Sequence, residues 1–185
     1  MKLNANERTS QTKGDVLQLR RKGQIPAIMY SPGQDSQLLA VDSAEFKAAL
    51  RGIKSGQLPT SVFTMQMQGK EKKAVIKDIQ RHPTTYEILH LDFQELVSDV
   101  PVCVKVPISC SGVADCVGIK LGGFLRQVIR YVKVECLPEL IPNEFVIDVK
   151  DLSIRQTRRL RDLAMPEGVK PLAAMEEVIV VIAKR

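Results

Sequence analysis

Alternation of apolar and polar residues with a period of two is the dominant signal along the first half of the chain. In "SVFTMQMQG", Phe63, Met65 and Met67 alternate with Val62, Thr64 and Gln66, and Gly69 with Lys70 makes a polar turn into "KKAVIKDIQ". That pattern predicts a β-hairpin. In "EILHLDF", Leu89, Leu91 and Phe93 point one way and Ile88, His90 and Asp92 the other, so a strand there places His90 and Asp92 on its less apolar face. "QIPAIMYS" predicts a brief strand ending in the turn "SPGQ", where Pro32 and Gly33 break the pattern, and "LLAVD" predicts the next strand.

Two segments carry helical spacing instead. "TKGDVLQLRRKG", residues 12–23, has a polar start, an apolar pair at Val16 and Leu19, and Gly23 where a helix C-terminus favours glycine, so it predicts a short helix, regular or irregular. "DSAEFKAALRG" begins at Asp42, with Glu45 placed for a capping box, Phe46, Ala49 and Leu50 as the apolar face, and Gly52 as the stop. Beyond a joint at "ELVSD", the runs "VPVCVKVPISC", "FLRQVIRYVKVECLP", "FVIDVKDL" and "EEVIVVIAKR" read as strands separated by Gly- or Pro-containing turns. The fold expected is mainly β with a few helices. Residues 1–95 form a small β-barrel domain with short helices, and residues 96–185 a β-rich domain.

Composition supports two cores. The 185 residues have room for two domains of ordinary size, and at 44% hydrophobic and 26% charged they hold enough apolar material to offset ordering entropy. No apolar run approaches the ~18 residues of a membrane span, and the start "MKLNANERTSQTKGD" lacks a secretory pattern, so a cytoplasmic protein is expected. The net charge of +6 is unevenly spread. Residues 1–34 hold a net +4, with Glu7 and Asp15 as the only acids, residues 35–95 cancel, and residues 96–185 carry +2. The positive balance favours an anionic partner, and the excess of the first half sits in its opening segment. Five Phe, three Tyr and no Trp argue against recognition of splayed single-stranded bases, which relies on aromatic stacking platforms.

Candidate chemistry is sparse. Cys103, Cys110, Cys116 and Cys136 form no C-x-x-C pair and His82 and His90 lie in the other half, so no metal site, disulfide framework or cofactor is expected; the cysteines read as small apolar residues, as Cys103 does between Val102 and Val104. "GIKLGGF" has neither the Walker Lys-Ser/Thr nor a G-x-G-x-x-G pattern and reads as a turn between strands. His90 and Asp92 have the spacing of a dyad on one strand face, but no nucleophile accompanies them, so no enzyme and no small-molecule substrate are expected. His82, before Pro83, reads as a turn or strand-end residue. The run Arg155, Arg158, Arg159 and Arg161 is flanked by Asp151 and Asp162 and reads as a solvated or partner-facing surface. Arg8, Lys13, Arg20, Arg21 and Lys22, with Tyr30 following, form the basic segment. A charge run is ordinarily a solvated face; the functional alternative is phosphate neutralisation with counterion release.

Four ordered strings decide between those readings. "KGDVLQLRRKGQIPAIMYS", "VIKDIQRHPTTYEILHLDF", "GGFLRQVIRYVKVECLPELIP" and "DLAMPEGVKPL" together resemble the bacterial large-subunit ribosomal protein twenty-five family in its longer two-domain form, also called general stress protein CTC. The resemblance spans nearly the whole chain. It implies a barrel-type N-terminal domain that binds 5S rRNA from the minor-groove side, ribosome association, and contacts to neighbouring ribosomal proteins. It also implies that Arg8, Lys13, Arg20 and Tyr30 are RNA-contact positions, with Lys77, Asp78, His82, His90 and Asp92 as further candidates. A carboxylate facing a polyanion needs a role: Asp92 accepts from a guanine amino or imino group, or it orients His90. Leu17 and Gln18 stand where the family commonly has two arginines, which predicts a shallower salt dependence, and Ser31 replaces a typical glycine after Tyr30. The competing function is a stress-related interaction module whose rear domain binds protein while RNA binding only tethers it.

Overall fold

The computed structural model describes residues 1–9, 12–67 and 69–184 and separates into two compact units, Met1–Val100 and Pro101–Arg185. The fold is mainly β, as the alternation predicts. The first unit is a closed six-stranded barrel ordered β1-β3-β2-β6-β5-β4, built from β1 (Lys2–Glu7), β2 (Gln24–Tyr30), β3 (Gln37–Asp42), β4 (Val62–Met67), β5 (Lys70–Arg81) and β6 (Ile88–Glu95). β1 with β4 and β2 with β6 are parallel, and the other ladders are antiparallel. The alternating residues of β4 do what their spacing predicts: Phe63, Met65 and Met67 fill the barrel with Leu3, Met29, Leu91 and Phe93.

Strand β1 has no counterpart in the sequence reading. "KLNANE" is rich in poor strand formers, and only Leu3 and Ala5 mark a buried face. Its state is imposed from both sides, by β3 and by β4, as closure of the barrel requires. Glu45 takes part in the same closure. Instead of completing a capping box, its carboxylate accepts from the backbone and side-chain amides of Asn4, at 3.3 and 2.9 Å.

Helix α2 (Ser43–Arg51) is still capped by Asp42, whose Oδ1 accepts from the backbone N–H of Ala44 and Glu45 at 2.8 and 2.9 Å. Its Phe46 enters the core fully buried, with Ala49 and Leu50 packed at the margin. Asp42→Ala is expected to cost about 1 kcal/mol, read as a shift of the urea midpoint with unchanged slope. Helix α1 (Lys13–Arg21) forms within the segment that predicts a short helix, capped by Thr12 Oγ1 accepting from Asp15 N–H at 3.3 Å, and it buries no residue fully.

The β5–β6 ladder changes register twice, between Ile76 and Asp78 and between Gln80 and Arg81. The second shift corrects the alternation read in "EILHLDF". Because Gln80 pairs with His90 and Arg81 with Ile88, Leu89 is left without an opposite residue, and Ile88 rather than Leu89 packs on the core.

The second unit holds two sheets. One is ordered β10-β7-β9-β12, from β7 (Val102–Ser111), β9 (Tyr131–Cys136), β10 (Phe145–Asp148) and β12 (Lys170–Pro171); the other is β11-β13-β8, from β8 (Gly123–Gln127), β11 (Thr157–Arg159) and β13 (Val178–Lys184). Val102, Val104, Val106, Val132, Val134, Ile147, Ile179 and Ile182 are buried. "GIKLGGF" is more than a turn: Val117–Lys120 form a single-turn helix, α3, before Gly122 turns the chain at φ 88° into β8. Cys103 also departs from expectation. It is exposed on the opposite face of β7 from Val102 and Val104, whereas Cys116 and Cys136 are buried. Burial pushes the thiols of Cys110 and Cys136 up, with the charge of Cys103 adding to the effect at Cys136, so both stay protonated at neutral pH.

Candidate nucleic-acid interface

Residues paired across a ladder share a face, so the register of β2, β6 and β5 defines the outer surface of this side of the barrel. Ile28 and Asp78 flank Asp92, Gln80 lies beside His90, and Tyr30 beside Gln94. The inner face of the same strands is apolar core, so the polar residues have only the outward direction. Gln80 belongs to this surface and was not singled out from the sequence; the alternation along β5 was the available signal. Lys77 sits between the paired residues Ile76 and Asp78, exposed at the register shift.

At the centre, His90 Nδ1 lies 2.6 Å from Asp92 Oδ1, and each side chain is 22% exposed. A carboxylate at that distance takes the Nδ1–H, fixes the ring, and leaves Nε2 as the outward acceptor of the neutral ring or a donor when the ring is charged. The Tyr30 hydroxyl is pushed up from its ordinary value, first by burial and then by the negative charge of Asp92. It is therefore a donor at neutral pH. The end of β2 that carries Tyr30 is held by Ser31, whose hydroxyl donates to Glu95, and Glu95 in turn pairs with Lys72 at 3.0 Å. Ser31 needs no left-handed backbone, since Tyr86 and Arg155 alone among the described non-glycine residues have positive φ.

The basic residues divide into two kinds. Lys13 and Arg21 are exposed on α1, beside Lys22. Arg20 is half-buried and donates through Nε and Nη2 to the Leu89 carbonyl at 3.3 and 2.9 Å, tying α1 to β6 at the residue the register shift leaves unpaired. Arg8 donates through Nε to the Leu39 carbonyl at 3.1 Å, and burial lowers its guanidinium from the ordinary value without discharging it. Two of the candidate cations thus hold the scaffold. His82 accepts at Nδ1 from the backbone N–H groups of Thr84 and Thr85, at 3.3 and 3.2 Å, and so belongs to the turn joining β5 to β6. Leu17 and Gln18 are exposed on α1 and contribute no charge.

The arrangement presents donors and acceptors in alternation, with cations on an adjoining helix. It suits hydroxyl- and amide-bearing edges next to phosphates. Among the described residues no group of three or more His, Cys, Asp or Glu is placed to hold a metal, and no helix is long and apolar enough to cross a membrane.

Comparison with known proteins matches the two units of the chain separately. Residues 3–93 match the model of the Ribosomal L25p family, and residues 101–185 that of the Ribosomal protein TL5, C-terminal domain. The chain is 44% identical to the large ribosomal subunit protein bL25 of Chlamydia muridarum, 43% to that of Chlamydia trachomatis serovar L2 and 40% to that of Chlamydia abortus, in each case over 100% of both chains. On these grounds the chain belongs to the Ribosomal L25p family, in the long form that carries the TL5-type C-terminal domain.

Proposed function

We propose that this protein is a non-catalytic constituent of the large ribosomal subunit that docks on 5S rRNA through the outer face of β2, β6 and β5, with α1 supplying phosphate contacts. The observation that carries the reading is the oriented His90–Asp92 pair, 2.6 Å apart and partly exposed beside Tyr30. Fixed hydrogen-bonding groups on a β surface read base edges and 2′-hydroxyls in the broad, shallow RNA minor groove. Asp92 has a role there without meeting a phosphate, because its charge is spent on His90. Its relatives carry the name of a large-subunit protein, which favours rRNA over other polyanions. Lys13, Arg21 and Lys22 on α1 serve as the phosphate contacts, while Arg20 and Arg8 hold the surface in register and lend it positive potential. Lys77 and Asp78 flank the surface at the register shift, and His82 shapes its end.

Affinity for 5S rRNA, measured with the full chain over a salt series, tests the reading. Asp92→Ala is expected to weaken binding about ten-fold, since a buried or oriented contact is worth about 1–3 kcal/mol, with the urea midpoint unchanged. His90→Ala should cost a similar amount, and the double variant little more than either alone, because the two act as one unit. Lys13→Ala should instead reduce the slope of log affinity against log salt by about one unit or less. Wild-type affinity equal to that for an unrelated RNA of the same length would remove the proposal.

A further inference from the structure

The hairpin β5–β6 ends in a turn that is both rigid and strained. His82 N–H donates to the Glu87 carbonyl at 2.8 Å, Tyr86 N–H donates to the His82 carbonyl at 2.9 Å, and the His82 ring accepts from Thr84 and Thr85. Inside this frame Tyr86 has φ 57°, the left-handed conformation in which a Cβ meets the following carbonyl and which glycine or asparagine adopts most readily. A bulky aromatic residue there costs stability. Among the described residues, no side-chain contact of Tyr86 offsets that cost. The Tyr86 residue is 72% exposed, and its side chain makes no hydrogen bond or ring contact with any described residue. Arg81, the last residue of β5, is exposed and has no ion pair among the described residues.

Strain retained in an exposed side chain that does not pack points to a ligand. The surroundings favour RNA over protein. A protein-binding aromatic anchor is ringed by apolar contacts that exclude water, whereas the residues of the turn on either side of Tyr86, Thr84, Thr85 and Glu87, are polar or charged, and Arg81 closes β5 ahead of it. The two strands that meet in this turn also carry Asp78, Gln80, His90 and Asp92. We infer that the hairpin tip is a further RNA-contact site, in which Tyr86 stacks on an exposed base of the same rRNA and Arg81 neutralises an adjoining phosphate. The inference rests on the 5S rRNA reading above. The few aromatics of this chain weigh against recognition of a splayed single strand, not against one stacked base, and a ring carried on a backbone that the turn already holds has less chain entropy to lose on stacking.

The test uses the full chain and 5S rRNA, with thermal unfolding measured in parallel. Tyr86→Gly and Tyr86→Asn relieve the backbone strain and remove the ring, so the unfolding midpoint is expected to hold or rise while affinity falls about ten-fold, the loss typical of one stacked base. Tyr86→Phe keeps the ring and is expected to bind like the wild type. A fall in the midpoint of both Tyr86→Gly and Tyr86→Asn would make Tyr86 a structural residue and overturn the inference. Unchanged 5S rRNA affinity in both would overturn it as well, including the case in which they are impaired only in joining ribosomal subunits, which would assign the ring to a protein. A wild-type protein that does not bind 5S rRNA would overturn the function proposed above and this inference with it, an outcome distinct from the others.

Discussion

Alanine in place of Phe63 is expected to cost the first unit about 3–5 kcal/mol, the range for removing a buried aromatic ring. Phe63 is fully buried, with its ring centroid 6.2 Å from that of Phe46 and 6.2 Å from that of Phe93. It therefore bridges α2, β4 and β6 at once. A barrel closed by hydrogen bonds all round cannot shrink to fill the space without breaking a ladder, so the lost contacts are not recovered. Against a total stability of about 5–15 kcal/mol for a unit of this size, the variant stands near the edge of unfolding at ordinary temperature. Urea denaturation followed by circular dichroism measures the effect. A loss below about 1 kcal/mol would mean that the barrel collapses onto the gap after all.

Gly118→Ala is expected to destabilise the second unit by about 2 kcal/mol. The cause is overpacking rather than a cavity. A Cβ at Gly118 would lie 2.9 Å from the Leu152 carbonyl oxygen, 3.0 Å from the Ser153 carbonyl carbon and 2.8 Å from Ile182 Cγ2. Two of those three are backbone atoms, and Leu152 is held in place because its carbonyl accepts the Gly118 N–H at 2.8 Å. The gain in helix propensity from glycine to alanine, about 1 kcal/mol, works in the opposite direction and reduces the net cost. Thermal or urea unfolding of the full chain reads the result, and an unchanged midpoint would show that the segment around Leu152 yields.

The sequence was legible where the burial period or the capping chemistry is written in strongly apolar or polar neighbours. Phe63, Met65 and Met67 marked β4, and Asp42 with Phe46 marked α2, because burial period and capping chemistry are local properties. What escaped was set by partners distant in the chain. β1 is a strand through β3 and β4 rather than through its own residues, and Glu45, well placed for a capping box, is claimed by Asn4. The slip at Leu89 has a similar origin, since a register shift against β5 leaves no trace in the β6 sequence alone. Cys103 shows the limit of reading neighbours in place of faces: Val102 and Val104 are buried because they alternate with it. At the candidate site, the spacing of His90 and Asp92 foretold their shared face, while their pairing was one of two roles left open for Asp92. The anchoring of Arg20 and Arg8 on backbone carbonyls was invisible, because a charged residue in a sequence does not announce whether its partner is a phosphate or the protein's own chain.

The closed barrel has a counterpart in the way the second unit ends its sheets. A barrel offers no unpaired strand to another molecule, but the open sheets of the second unit do. The outer strands there are short: β8 has five residues, β10 four, β11 three and β12 two, the last including Pro171, which has no N–H to give, and β11 is interrupted by a register shift between Arg158 and Arg159. Strands so brief and irregular are poor templates for a second copy of the chain. The protein should thus remain monodisperse at concentrations where long, regular sheet edges would drive self-association.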